Sequence, residues 1–289
     1  MGNAVRLAVE NMRADFAIPI GLLVGLGGII GSVLVEGGSL VAFLNLPAFL
    51  IITCGTLGAA MVSTTVSDVL RIPLLVRKAL WGWVGADSAV LIATLVTAAQ
   101  QARRDGILVL EAIADDSSTD PFLAQGIGLV VEGADEPTVR AILTAEITAM
   151  RRRHQRGIAL FDSMGGFAPT MGIIGTVLGL VHVLAKLGEG GADGLGSGIA
   201  VAFIATLYGI FSANVLFLPL AGNLRGKSEE EAFRREMVME GVMGIQMGHN
   251  PRVLEHRLRA FYPANTAEGA RARVDSEQLA MGLRPSLRG

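Results

Sequence analysis

The sequence carries little charge and almost no cysteine. Only 17% of its 289 residues are Asp, Glu, Lys or Arg, against about 25% in ordinary soluble domains. The single cysteine, Cys54, excludes an internal disulfide framework and any cysteine-cluster metal site. It lies in an apolar run, where a small packed residue is expected. The histidines His154, His182, His249 and His256 are scattered, and no two stand four residues apart, so a helical zinc pair has no support. A net charge of -2 and the lack of a basic tract with interleaved aromatics give no footing for a nucleic-acid partner. Four long stretches lack Asp, Glu, Lys and Arg altogether.

What fills those stretches is apolar and small. The chain is 51% hydrophobic with 37 glycines, and its mean hydropathy is +0.52. A bilayer core needs about 20 apolar residues in a helix rising roughly 1.5 Å each. Span one is predicted from Phe16 to Val35, span two from Leu46 to Ser63, span three inside the run Ser163 to Ala185, and span four from Gly198 to Leu224. The lead-in with Arg6, Glu10, Arg13 and Asp15 is not the basic region of a cleaved signal peptide. Gly21, Gly25, Gly27 and Gly31 supply pairs of small residues four apart, a spacing that lets helices approach closely. Thr53, Thr56, Ser63, Thr64 and Thr65 are expected to return hydrogen bonds to their own helix.

Between spans two and three the character changes. Arg71, Arg77 and Lys78 appear, then Trp81 and Trp83, which suit a membrane interface. Asp115 to Pro121 is a polar break. Helices are predicted at about Phe122–Val131 and about Glu136–Arg156, with Pro137 in a first turn. The expected fold is an all-α membrane protein with four transmembrane helices, a helical cytoplasmic insert between spans two and three, and a helical cytoplasmic tail. In residue numbers this is 1–66 for the lead and spans 1–2, 67–162 for the insert, 163–224 for spans 3–4 and 225–289 for the tail. The end of the tail, from about Ala267, is expected to be disordered. Orientation follows from the basic residues: residues 66–162 hold ten Lys plus Arg and residues 225–289 hold eleven, while residues 36–46 hold none and residues 186–197 one. Basic residues favour the cytoplasmic side, so both termini are expected there.

A machine that moves protons or sodium usually needs an ionisable group inside the membrane. The spans supply none, so either no ion moves or a partner brings the carboxylate. Spans three and four still carry Thr170, Thr176, His182, Thr206, Tyr208, Ser212 and Asn214. Pro169 and Thr176, seven residues apart, share a helix face. With antiparallel spans, Thr176 and Thr206 fall at a similar depth and Pro169 and Pro219 both fall toward the cytoplasmic ends. The two Pro-to-Thr separations differ, a mismatch of about 9 Å at helical rise.

These blocks together resemble the MotA/PomA family of flagellar stator subunits, up to about Pro263. Glu36-Gly37-Gly38-Ser39 looks like that family's exit from its first span. The insert carries Arg103-x-x-Gly106, Leu110-Glu111, Asp120-Pro121-Phe122-Leu123 and Glu132-Gly133. Span three reads Ala168-Pro169 with Gly175-Thr176-x-x-Gly179-Leu180, and span four reads Ala205-Thr206-Leu207-Tyr208-Gly209, Ala213-Asn214 and Pro219-Leu220-Ala221. The tail carries Asn250-Pro251-Arg252, Glu255, Leu258, Phe261 and Pro263.

The resemblance implies a homo-oligomer, a pentamer, in the bacterial inner membrane, around the two membrane helices of a MotB/PomB-type partner. That partner carries the essential aspartate and a peptidoglycan-binding domain. The resemblance further implies that ion flow rotates the ring against the rotor protein FliG. It assigns the ion pathway to Thr176 and Thr206, the channel-end prolines to Pro169 and Pro219, and the rotor contact to Arg103 and Glu111. No enzyme activity and no cofactor are implied beyond a transported sodium ion or proton. Sodium is favoured, because Thr176 matches a position where sodium-type members carry threonine, although Ala205 is threonine in some of them. An ExbB/TolQ-type energiser of envelope processes is the alternative, against which the four spans and the tail motif weigh. An intramembrane protease lacks a base partner for Ser212 in the spans.

Overall fold

The computed structural model describes residues 12–14, 17–83, 88–116, 119–188 and 195–261. Half of the link at residues 186–197, Pro263 and the chain end read above as disordered lie outside these residues. Two three-residue strands, β1 (Met12–Ala14) and β2 (Trp81–Trp83), pair with each other. All other regular structure among the described residues is helical, as the sequence predicts. Among the described residues, three helices are long and apolar enough to cross a membrane, and α1 (Ala17–Val35) is a further apolar helix of 19 residues. The chain divides into two compact units, one of Arg13–Gly82 with Arg153–Lys227, the other mainly of Trp83–Arg152 with Ser228–Gly289.

The apolar unit holds α1, α2 (Leu46–Ser63), the short α3 (Val66–Leu70) and α4 (Ile72–Leu80). It also holds the C-terminal part of α8 (Glu136–Gly188), α9 (Leu195–Phe211) and the start of α10 (Leu218–Gln246). Asn45 starts α2: its side chain accepts from the Ala48 N–H at 2.9 Å, and Pro47 occupies the first turn where no N–H is needed. Ala48, Ile52, Thr56 and Ala60, four apart, form the buried stripe of α2. Tyr208 of α9 holds the entry to this helix, since its hydroxyl donates to the Phe43 carbonyl and accepts from the Asn45 N–H at 3.3 Å. Ser63 and Thr64 return their hydroxyls to Ala60 O at 3.0 and 2.7 Å as expected. Thr56 does not: its Oγ1 is buried without a partner.

The close contact in this unit is between α8 and α9. A β-carbon on Gly209 would sit 2.5 Å from the Ala168 carbonyl oxygen, and one on Gly172 would sit 3.1 Å from Ala205 O and Thr206 Cα. Gly175 and Gly179 likewise abut Ala205 and Ala202. Gly198 abuts Val183 at the far end and Gly165 abuts Leu218 at the near end, which fixes an antiparallel register. In lipid there is no hydrophobic gain from burying helix against helix, so close backbone packing of small residues supplies the attraction. Among the described residues, a β-carbon on Gly21, Gly27 or Gly31 of α1 would meet nothing within 4 Å, and one on Gly25 would meet Val215. An ion pair, Arg225 to Asp162 at 2.7 Å, closes the charge-free stretches of both α8 and α10 at their charged ends.

The second unit is built from α5 (Ser88–Asp105), α6 (Glu111–Ala114), α7 (Pro121–Val131), the first part of α8, the rest of α10 and α11 (Pro251–Arg259). Leu95, Leu110, Leu123, Leu143, Met243 and Leu254 lie in its fully covered core. Gly248, at φ 66°, ends α10, and Asn250 caps α11 by accepting from Arg252 N–H at 3.0 Å, which returns Leu254 and Leu258 to the core. Asp120 does two jobs at once. Its Oδ1 accepts from the Phe122 and Leu123 N–H groups at 3.0 and 3.2 Å, capping α7, and its Oδ2 takes the Arg234 guanidinium at 2.5 Å. The two side chains are only 4% and 7% exposed.

One boundary differs from the sequence reading. The helix predicted to end near Arg156 runs on without a break, so that α8 has 53 residues, more than twice the roughly 20 that a bilayer core needs. Charged residues mark where lipid ends, but Arg, Gln and Glu are good helix formers and give the backbone no reason to stop.

Two outcomes are expected. Arg234→Met strands a buried carboxylate and costs about 3–5 kcal/mol; amide exchange across Pro121–Val131 rises sharply, whereas Asp120→Asn with Arg234→Met recovers most of the protection. Gly209→Ala forces backbone apart at the α8–α9 seam and lowers the yield of monodisperse protein in detergent. Gly226→Ala, which meets nothing within 4 Å, leaves that yield unchanged.

Candidate functional site

Three of the seven polar positions predicted in spans three and four are spent on their own backbone. Thr170 donates to Phe167 O at 2.7 Å, Ser212 to Tyr208 O at 2.7 Å and Gly209 O at 3.1 Å, and Asn214 to Ile210 O at 2.9 Å. His182 is exposed on α8.

Thr176 and Thr206 differ. The register set by the glycine seam brings their hydroxyls into direct hydrogen-bond contact, Oγ1 to Oγ1. Thr176 Oγ1 also lies 3.0 Å from Gly172 O and 3.2 Å from Ala202 O. Two hydroxyl oxygens and two carbonyl oxygens therefore gather at one level, half-buried, with no charged side chain on either helix segment. Each hydroxyl has one proton. When it donates to a carbonyl, its lone pairs are left to face a cation or a proton donor. Carbonyl and hydroxyl oxygens replace hydration water around cations in membrane pathways. Among the described residues no group of three or more His, Cys, Asp or Glu could hold a metal ion.

The two prolines are not brought level. Leu218 packs on Gly165, so Pro219 lies about one helical turn beyond Pro169 toward the Asp162–Arg225 ion pair. Pro169 is half-buried inside continuous helix. Pro219 is exposed and follows a widened turn, a π-helical segment over Ser212–Phe217. A proline removes an N–H and crowds the preceding turn, and a π segment is one way a helix absorbs this. The Ser212 and Asn214 side chains donate to the Tyr208, Gly209 and Ile210 carbonyls in the turn that leads into this segment. Sequence reasoning missed this segment and the Tyr208 clamp. The signal was a proline preceded by a hydroxyl and an amide within two turns.

Arg103 and Glu111 flank a corner of the other unit. Gly106, at φ 90°, turns the chain out of α5, and its N–H bonds Ala102 O at 3.0 Å. A short 3₁₀ helix, Ile107–Leu110, leads into α6. Both charged residues are exposed, and neither makes an ion pair among the described residues. The neighbouring Arg104 is engaged instead, gripping Asp105 at 2.9 and 3.0 Å. That hydrogen-bonded pairing holds the Asp105 carboxyl below its usual range and raises Arg104 above its own.

Residues 114–237 match the MotA/TolQ/ExbB proton channel family. Motility protein A of Bacillus subtilis (strain 168) is 36% identical over 245 residues, spanning 85% of this chain and 90% of that one. Chemotaxis protein PomA of Vibrio alginolyticus is 34% identical over 247 residues, 86% of this chain and 95% of that one. The solved structure of the flagellar MotAB stator complex from Bacillus subtilis contains a chain that superimposes with a TM-score of 0.80 at 35% identity, over 86% of this chain and 97% of that one. With relatives matched across both units and the same fold in a stator complex, the chain belongs to the MotA/PomA family of flagellar motor stator subunits.

Proposed function

We propose that this subunit forms the ion route of a stator together with a MotB/PomB-type partner, and that the Thr176–Thr206 hydroxyl pair is the chain's own contribution to that route. The observation that carries this is the meeting of two hydroxyls on the α8–α9 seam, within helix segments, residues 163–185 and 195–211, that carry no charge of their own. A carboxylate on the partner's membrane helix supplies the charge-bearing group. The oxygens of Thr176, Thr206, Gly172 and Ala202 suit a partly dehydrated sodium ion, and we assign sodium as the coupling ion, with the proton as the alternative. Several copies of the chain, five by the family resemblance, surround the partner in the inner membrane. Both termini face the cytoplasm, as does the unit that carries Arg103 and Glu111. Those two charges contact the rotor protein FliG, and Pro169 and Pro219 mark bends toward the cytoplasmic end of the route.

Swimming speed measured against external sodium at fixed pH tests the ion. Speed is expected to fall as sodium is withdrawn. Thr176→Ala raises the half-maximal sodium concentration about tenfold, the scale of one hydrogen-bond-strength contact to a charged group, and Thr176→Ser restores it. Speed that follows proton-motive force alone, with Thr176→Ala unaffected, assigns protons. Arg103→Glu and Glu111→Lys are each expected to lower torque in a tethered-cell assay while membrane content of the protein is unchanged. Normal torque in both variants moves the rotor contact elsewhere.

A further inference from the structure

The corner between Arg103 and Glu111 presents more than charge. Ile107, Leu108 and Val109 are all exposed there, Leu108 at 73%. Single exposed leucines are ordinary. Here the exposure is built. Gly106 adopts a φ of 90°, a conformation that side chains disfavour. Leu110, wholly covered in the core at 0% exposure, pins the other end of the 3₁₀ turn. Between those two fixed points three apolar side chains have nowhere to go but outward. Flanking them are two exposed charges of opposite sign that make no ion pair among the described residues, while Arg104 is neutralised by Asp105.

We propose that Leu108 is an apolar anchor of the rotor contact, seated in a hydrophobic socket that lies between an acidic group facing Arg103 and a basic group facing Glu111. This rests on the reading that Arg103 and Glu111 meet the rotor. The contact then has a part that salt screens and a part that it does not. Charges at a rim set encounter and register, and a desolvated apolar residue near the centre holds the bound state. The occupant is a surface of mixed charge around an apolar hollow.

The experiment uses the full subunit purified with its MotB/PomB-type partner, titrated with purified FliG over a range of salt concentrations. Leu108→Ala is expected to weaken binding about tenfold or more at every salt concentration. Leu108→Met retains most of the affinity, and ion conduction is unchanged in both. Arg103→Glu weakens binding chiefly at low salt. Because Leu108 lies outside the core, its truncation leaves folding intact, which size-exclusion of the complex checks. Wild-type binding by Leu108→Ala alongside weakened binding by Arg103→Glu overturns the anchor and leaves the rotor reading standing. Wild-type binding by Leu108→Ala, Arg103→Glu and Glu111→Lys together overturns both. Loss of subunit assembly in Leu108→Ala, with FliG affinity per assembled complex unchanged, gives the surface to a second copy of the chain and also overturns the anchor.

Discussion

The approach of α8 to α9 over Gly172, Gly175, Gly179, Ala202, Ala205 and Gly209 is the constraint on which the apolar unit depends. Lipid rewards no helix pairing through hydrophobicity, because the acyl chains are as apolar as leucine. Attraction must come from dispersion at short range and from bonds between polar groups. Both need small residues, since a side chain at Gly209 meets backbone rather than a movable group. The register follows. Thr176 stands on Thr206 because Gly172 and Gly179 stand on Ala205 and Ala202. A slip by one turn is about 5.4 Å, twice the length of a hydrogen bond. The offset of Pro219 from Pro169 is fixed by the same register.

Polar atoms in these helices divide by where their bonds go. Thr170, Ser212 and Asn214 donate to carbonyls of their own helix within four residues. Such bonds permit a proline or a widened turn without leaving backbone groups unsatisfied in lipid. Tyr208 crosses to the chain before α2 and fixes where that helix begins. Thr176 crosses to α9 in the middle of the seam. Composition alone ranks these residues as equals; the direction of their bonds separates repair, clamp and site.

Much of this was legible in the sequence, and the parts that were not share a cause. The charge-free stretches located the spans because burying Asp or Lys in lipid is costly whatever the packing. Pro137 announced a helix start, because a proline costs nothing in the first turn, and α8 begins at Glu136. Illegible were features that depend on which helix lies opposite. The glycines of α1 and α8 look alike in sequence, yet those of α8 make the close seam, while of the α1 glycines only Gly25 meets another helix of this chain. The continuity of α8 past Arg156 into the charge-free run was hidden because the last charges, Arg156 and Asp162, mark a change of solvent, not a change of backbone.

The same division between satisfied and unsatisfied groups holds in the polar unit. Arg234 is locked on Asp120, Arg235 bonds Glu146 and Glu231 and lies over the Phe122 ring, and Arg151 bonds Glu236. These pairs tie α7, α8 and α10 together, and the buried one is costly to break from one side only. Around Gly106 the pattern inverts. Arg103 and Glu111 stay exposed, and apolar side chains sit between them on a turn held by a left-handed glycine and a buried leucine. A unit that pairs Arg140, Arg151, Arg234, Arg235, Arg257 and Arg259, and covers so much apolar surface, had both options at this corner. An apolar turn between two exposed charges of opposite sign is the arrangement that the proposed rotor contact needs.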